Sequence, residues 1–306
     1  MVNTDKFKSP IKPSLTSDIS IPNFKTKIMK KTLFVFKAVM LISMSTMIIQ
    51  SCNKDNEIKE DLMSHKDMAL AEATFDELQD IADEAASGNL ESFKQGDDSQ
   101  KALLSSCATF THDTLSSPKT LTVDFGTENC LGNDGRYRRG RVIVSYTGAY
   151  REPGHVHTFT TENYFVNDNQ LLGTREVENT GHNSDGNLVF TIEIDGQIIK
   201  EDGGVITRVS SRVRERIEGE ETGTRFDDVY LITGTHSGQA SNGRGFEAET
   251  ITPLRKEIGC RWIVSGSMQV DPNHREEGVL DFGNGNCDRL ATITLNGNVR
   301  TIQLRN

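Results

Sequence analysis

The sequence predicts a mainly β protein: a large antiparallel meander that curls into an open barrel or a sandwich, preceded by one short amphipathic helix. Three observations carry this. After about residue 102, apolar and polar residues alternate at period two through most of the chain. Asn-Gly and Asp-Gly dipeptides stand between several of these runs, and tight hairpin turns favour such pairs. One earlier stretch, about 66–86, instead repeats its apolar residues at three- and four-residue spacing.

The chain opens with residues 1–28, which are polar and hold Pro10, Pro13 and Pro22. They read as an extension from a misassigned upstream start, with Met29 the better start. Met29-Lys30-Lys31 then leads an apolar run, broken by Lys37 and uncharged from Ala38 to Ile49. The run is the length of a signal-peptide core and falls short of the ~20 residues of a membrane-spanning helix. It ends in Ile49-Gln50-Ser51-Cys52, which resembles the lipobox of bacterial lipoproteins. That resemblance implies a signal peptide over 29–51, cleavage before Cys52, and acyl chains such as palmitate on Cys52. More than one acyl chain makes attachment effectively stable.

Charge supports this division. Residues 1–51 carry eight Lys against Asp5 and Asp18, a balance of +6, so the remainder of a chain at −10 stands at −10 − 6 = −16. A body that acidic is repelled by nucleic-acid phosphates and by anionic membrane surfaces. Its contact with a membrane is therefore expected through the lipid anchor. The acidic residues close behind Cys52, Asn53-Lys54-Asp55-Asn56-Glu57, resemble the surface-export signal of Bacteroidota-type lipoproteins, which implies the outer membrane and, as the further reading, the cell surface.

Residues 52–104 read as an acidic tether and helix, with fourteen Asp/Glu against five Lys between Asn53 and Ser105. Leu70, Ala73, Leu78, Ile81, Ala82 and Ala85 form one apolar stripe that must pack on something, and the β body is the expected surface. Gly88 to Ser99 reads as a loop.

Residues 105–306 read as one all-β domain of about a dozen strands joined by short hairpins. Val142, Val144 and Tyr146 share a face, as do Leu188, Phe190, Ile192 and Ile194, and likewise Trp262, Val264, Met268 and Val270. On another strand Val205, Val209, Val213 and Ile217 mark one face and Arg208, Arg212, Arg214 and Arg216 the other. The arginines are expected on the wet face, paired across strands with Glu176, Glu178, Glu193 or Asp195, rather than forming an anion site. Turns are expected at Asp195-Gly196, Asp202-Gly203, Asn242-Gly243 and Asn296-Gly297.

Four cysteines follow Cys52: Cys107, Cys130, Cys260 and Cys287. An even count in an exported chain implies disulfides, and four cysteines allow three pairings. An internal repeat selects one. Asp124-Phe125-Gly126-Thr127-Glu128-Asn129-Cys130 matches Asp281-Phe282-Gly283-Asn284-Gly285-Asn286-Cys287 at five of seven positions. Each copy closes a cysteine pair, predicting Cys107–Cys130 and Cys260–Cys287. A zinc site lacks the close cysteine pairs it usually shows.

These phrases, with Gly135-Arg136, Gly140-Arg141, Tyr146-Thr147-Gly148, Tyr150, Asn163-Tyr164, Gly173-Thr174-Arg175 and Cys260-Arg261-Trp262-Ile263-Val264-Ser265-Gly266, resemble a family of uncharacterised Bacteroidota-type envelope lipoproteins. The resemblance implies export and an all-β body, and brings no catalytic residue.

No catalytic constellation stands out, and no cofactor is expected. His155 and His157, two apart on a strand, are weak candidates for a metal, with His182 or His236 as a third ligand. No Gly-x-Ser-x-Gly elbow occurs. Asn183-Ser184-Asp185-Gly186-Asn187 lacks the distal Glu of a calcium loop and reads as a turn. The expected function is a non-enzymatic envelope module binding a glycan or a protein. An envelope hydrolase and a periplasm-facing structural or assembly factor are the alternatives.

Overall fold

The computed structural model describes residues 62–86, 104–222, 227–272 and 277–304. Cys52, the expected signal segment and tether, and the loop expected over 88–99 lie outside these residues. The period-two segments form fourteen strands: β1 (Thr109–Asp113), β2 (Lys119–Asp124), β3 (Cys130–Leu131), β4 (Tyr137–Tyr146), β5 (Val156–Val166), β6 (Asn169–His182), β7 (Leu188–Ile199), β8 (Val205–Glu218), β9 (Val229–Gln239), β10 (Gly245–Glu257), β11 (Ile263–Asp271), β12 (Gly278–Asn284), β13 (Leu290–Leu295) and β14 (Asn298–Gln303). They make one sheet in sequential order, with β3 paired to β4 off the main path; its ends, β1 and β14, do not pair and the sheet is not closed. Every pairing is antiparallel, as expected of strands joined by short hairpins.

One turn design recurs. Loops 132–136, 183–187, 200–204 and 240–244 each end with the first residue's N–H bonded to the fifth residue's carbonyl. Each carries Asp-Gly or Asn-Gly at its third and fourth positions. The glycines Gly135, Gly186, Gly203 and Gly243 take φ of 80° to 85°, where a side chain is disfavoured. The 183–187 segment is thus a hairpin loop, with the Asn183 carboxamide oxygen accepting from the N–H groups of Asp185 and Asn187. Asn296 and Gly297 also form a turn, with φ of 51° and 73°.

Asp195-Gly196 is not a turn. Both residues lie inside β7, where Gly196 pairs with Gly173 on one side and Arg208 on the other. The glycine is there for a close approach: a Cβ on it would stand 2.5 Å from the Phe75 ring and 2.6 Å from the Leu172 carbonyl oxygen.

Phe75 belongs to the helix α1, 62–86, which belongs with the sheet to one compact unit, 57–306. The helix extends to both sides of its apolar stripe, and residues on every face of it are buried, including Asp67, Glu72, Glu77 and Glu84. Its partners come from β4, β6, β7, β8 and β10 in turn. The sheet therefore curls around α1, and the helix fills the space the curl encloses. Phe75, Leu78, Ile81 and Ala82 pack with inward residues of β2 to β8, and Met68 and Ala69 with those of β9 to β14.

The arginine row of β8 points to this helix, not to solvent. Arg208, Arg212, Arg214 and Arg216 are 1%, 2%, 6% and 3% exposed, whereas Val205, Val209 and Val213 are 39%, 53% and 42% exposed. This reverses the expected orientation. The register explains it: Arg212 stands opposite Ile192 and Arg214 opposite Phe190, both inward residues of β7. Glycines clear room for the long side chains, with Gly238 and Gly196 beside Arg208 and Gly234 beside Arg212.

Buried guanidiniums need counter-charges. Glu72 accepts from both Arg208 and Arg212, and Asp76 accepts from Arg212 at 2.7 Å. Burial alone would raise the Glu72 carboxyl, but the two guanidiniums outweigh it and hold its pKa below the ordinary value. A second network joins Glu77 and Asp134 to Arg136, Arg138 and Arg261, with Arg138 Nε 2.8 Å from Glu77 and Arg261 2.8 Å from Asp134. Arg175 reaches Gln79 at 2.9 Å, and burial lowers its pKa to about 10.

His236 sits among these cations, its Nδ1 accepting from Arg208 at 2.6 Å with a Glu72 oxygen 3.9 Å away. Burial first, then repulsion from Arg208 and Arg212, pushes its pKa far below the ordinary value. The folded protein keeps His236 neutral while the unfolded chain protonates it near pH 6.5. The unfolded state then binds more protons, so stability falls as pH drops below about 6.5, by up to ~1.4 kcal/mol per pH unit for one histidine. Urea unfolding at several pH values between about 7.5 and 5 checks this: His236→Gln should flatten the slope by about one proton. An unchanged slope would assign the acid sensitivity elsewhere.

The cysteines pair within each copy of the repeat, Cys107 with Cys130 and Cys260 with Cys287, at Cα separations of 5.8 and 5.7 Å. The repeat has a local cause in both places. Asp124 accepts from the Gly126 N–H and Asp281 from the Gly283 N–H, while Phe125 and Phe282 are buried.

Candidate ligand-binding site

Near the C-terminal end of α1, the inward faces of the first strands leave a pocket of about 210 Å³. Its apolar walls are Leu121, Val144, Phe159 and Ala82; His112, Tyr146, Tyr150 and His157 supply rings. The β alternation positions them: Val144 and Tyr146 face inward from β4, and His157 and Phe159 from β5. Tyr150 lies in the β4–β5 connection, tied by its carbonyl to the Asn179 carboxamide at 3.0 Å.

The rings form a continuous series. His112 hydrogen-bonds the Tyr146 hydroxyl, Tyr146 stacks on His157 at 5.2 Å, and His157 meets Tyr150 edge-on at 5.0 Å. Tyr150 stacks on Phe190 at 4.9 Å, and the Arg214 guanidinium lies 4.5 Å from the centre of the next ring, Tyr230. The series runs from the pocket into the core, so the pocket rings are held in place from behind.

The pocket is built to stay nearly neutral. His157 Nε2 is 3.0 Å from the Gly148 carbonyl, which only accepts, so this nitrogen carries the proton. Burial lowers the His157 pKa, partly offset by that carbonyl, and the neutral ring is left with Nδ1 as an acceptor. Burial, with some help from Asp113, raises the Tyr146 pKa, so its hydroxyl stays protonated. Asp83 supplies one carboxylate, accepting from Gln79 at 2.9 Å. The Tyr150 hydroxyl is shielded from solvent and has no hydrogen-bond partner among the described residues. At about 210 Å³ the pocket is smaller than the ~300–1,000 Å³ of a drug-sized site, which suits a single ring or the end of a longer ligand.

The other candidate residues lie apart from one another. His155 packs over Gly148 and bonds Thr147 through Nδ1 at 3.2 Å. His182 bonds Glu220 at 2.8 Å, and His236 is buried beside Arg208. Among the described residues, no group of three His, Cys, Asp or Glu is placed to hold a metal ion. No serine, threonine or cysteine lines the pocket among those residues. Between α1 and the sheet remains a cavity of about 30 Å³, room for about one water.

In the sequence Tyr146 marks a strand face with Val142 and Val144, and Tyr146 and Tyr150 belong to the phrases of the resemblance, but neither points to a binding role. The pairing of β1 with β2 and of β2 with β4 brings His112 to Tyr146. No family model, curated protein or solved structure matches the chain.

Proposed function

We propose that this chain is an outer-membrane lipoprotein of the Bacteroidota type, anchored through acyl chains on Cys52, whose β body binds a neutral ring-shaped ligand, foremost a sugar residue of a glycan. The ring-walled pocket carries this reading. The Tyr146 and His157 rings in its wall offer flat faces, and His157, with Nε2 held by the Gly148 carbonyl, keeps Nδ1 as an acceptor. Carriage of an acyl chain has less support, because α1 fills the interior and leaves a cavity of only about 30 Å³. Hydrolysis has less support still, because the pocket brings a single carboxylate, Asp83, and no nucleophilic hydroxyl besides tyrosine.

Saturation-transfer NMR on the full chain in detergent, against a panel of neutral mono- and disaccharides, tests the ligand class. At least one sugar should give a signal that Tyr146→Ala and Tyr150→Ala abolish and that Val209→Ser, on the outer face, leaves intact. No signal from any sugar, or signals that survive both tyrosine changes, would overturn it. The anchor is tested separately: Cys52→Ala should accumulate as an uncleaved, unacylated precursor.

A further inference from the structure

With the arginines of β8 turned inward, the outward positions of β6 to β9 carry no Lys or Arg. Outward positions of β6 and β7 carry Glu176, Glu178, Glu193 and Asp195, and Glu176 stands directly opposite Glu193. Outward positions of β10 and β11 carry Glu247, Glu249 and Asp271, with Glu277 just ahead of β12. None of these eight carboxylates has an ion-pair partner among the described residues. Arg255, on the same stretch of sheet, is engaged at its far end by Glu218 and Glu257. Like charges opposite each other across a strand pair are destabilising, so this face is one the fold tolerates rather than one it needs.

The face is also shaped and partly apolar. A groove of about 530 Å³ crosses β7 to β12, lined by Glu193, Glu247, Glu249, Asp271 and Glu277, with Val209 on its floor. Val205, Val209 and Val213 form an exposed stripe along β8, four residues apart and so about 13 Å from one to the next. Three exposed β-branched side chains at regular spacing, flanked by unpaired carboxylates, complement a segment that carries both apolar and basic side chains.

We infer that this outer groove is a docking surface for a basic, extended protein segment in which Lys or Arg alternates with apolar residues. A second copy of this chain does not fit, because it would bring the same carboxylates face to face. Anionic lipid is repelled for the same reason. The surface lies on the opposite side of the sheet from the ring-walled pocket, and its test is independent of the sugar assay.

The probe is a labelled peptide of five Lys-Val repeats, titrated by fluorescence anisotropy into the full chain in detergent, with five Lys-Ser repeats as a second probe. The Lys-Val peptide should bind, and the Lys-Ser peptide at least about fivefold more weakly. Glu193→Lys with Glu247→Lys and Glu249→Lys should weaken Lys-Val binding by at least about twentyfold, and Val209→Ser with Val213→Ser by about fivefold. A control of equal charge change on exposed loops, Asp185→Lys with Glu201→Lys and Glu221→Lys, should change it by less than about twofold. If the lysine variant fails to fold, the corresponding triple Gln variant replaces it, with the same loss expected. Absence of binding, equal binding of the two peptides, or an equal loss in the loop control would overturn the proposal; the last would make binding an effect of overall charge.

Discussion

Glu72→Gln is expected to destabilise the protein by about 3–5 kcal/mol, read as a lower urea midpoint at pH 7.5. Glu72 is the shared acceptor of Arg208 and Arg212, and all three side chains are at most 3% exposed. A neutral carboxamide leaves two guanidiniums inside the curl with, among the described residues, Asp76 to offset them. The cost comes from uncompensated buried charge, not from the attraction the pair contributes. That distinction can be measured. Replacing the pair together, Glu72→Leu with Arg208→Leu, removes the charge and the counter-charge, and should recover at least half of the loss. If the double variant is as unstable as the sum of its parts, the network stabilises by attraction, and this account of the core is wrong.

Phe75→Ala should cost about 3–5 kcal/mol, because the ring is 1% exposed and sits where β7 has no side chain. Gly196→Ala should be destabilising too, by about 1–3 kcal/mol or more, since the new methyl overlaps that ring. The two changes are predicted to couple. With the ring gone the methyl has space on that side, and only the Leu172 carbonyl oxygen, 2.6 Å away, still resists it. The double variant should therefore lose clearly less stability than the sum of the single losses in a double-mutant cycle. Strict additivity would mean that Phe75 does not seat on Gly196 in solution.

Much of the architecture follows from local chemistry. Strands β7 and β8, the Asn296-Gly297 turn and the buried faces of β4 and β11 can be read from alternation and turn residues alone. The cysteine pairing can be read from the repeat, because each Asp-Phe-Gly phrase builds its own turn beside its own cysteine. Gly196 shows where such reading stops. Asp-Gly is a turn signal only when nothing else requires a glycine, and here a ring from a distant helix requires one. The pocket was equally hidden: its rings come from β1, β4, β5 and a hairpin, and no local pattern joins His112 to Tyr150.

Sequence alone determined that β8 has a valine face and an arginine face, because alternation at period two separates them regardless of context. Which face points inward was decided only by the tertiary structure. Hydropathy favours burying the valines. That preference is overridden because Arg208 and Arg212 find their carboxylates on α1, 136 and 140 residues earlier in the chain. Burial of an arginine depends on where its counter-charge sits, and a counter-charge brought in by a helix packed on the inner face of the sheet leaves no trace in the strand that needs it.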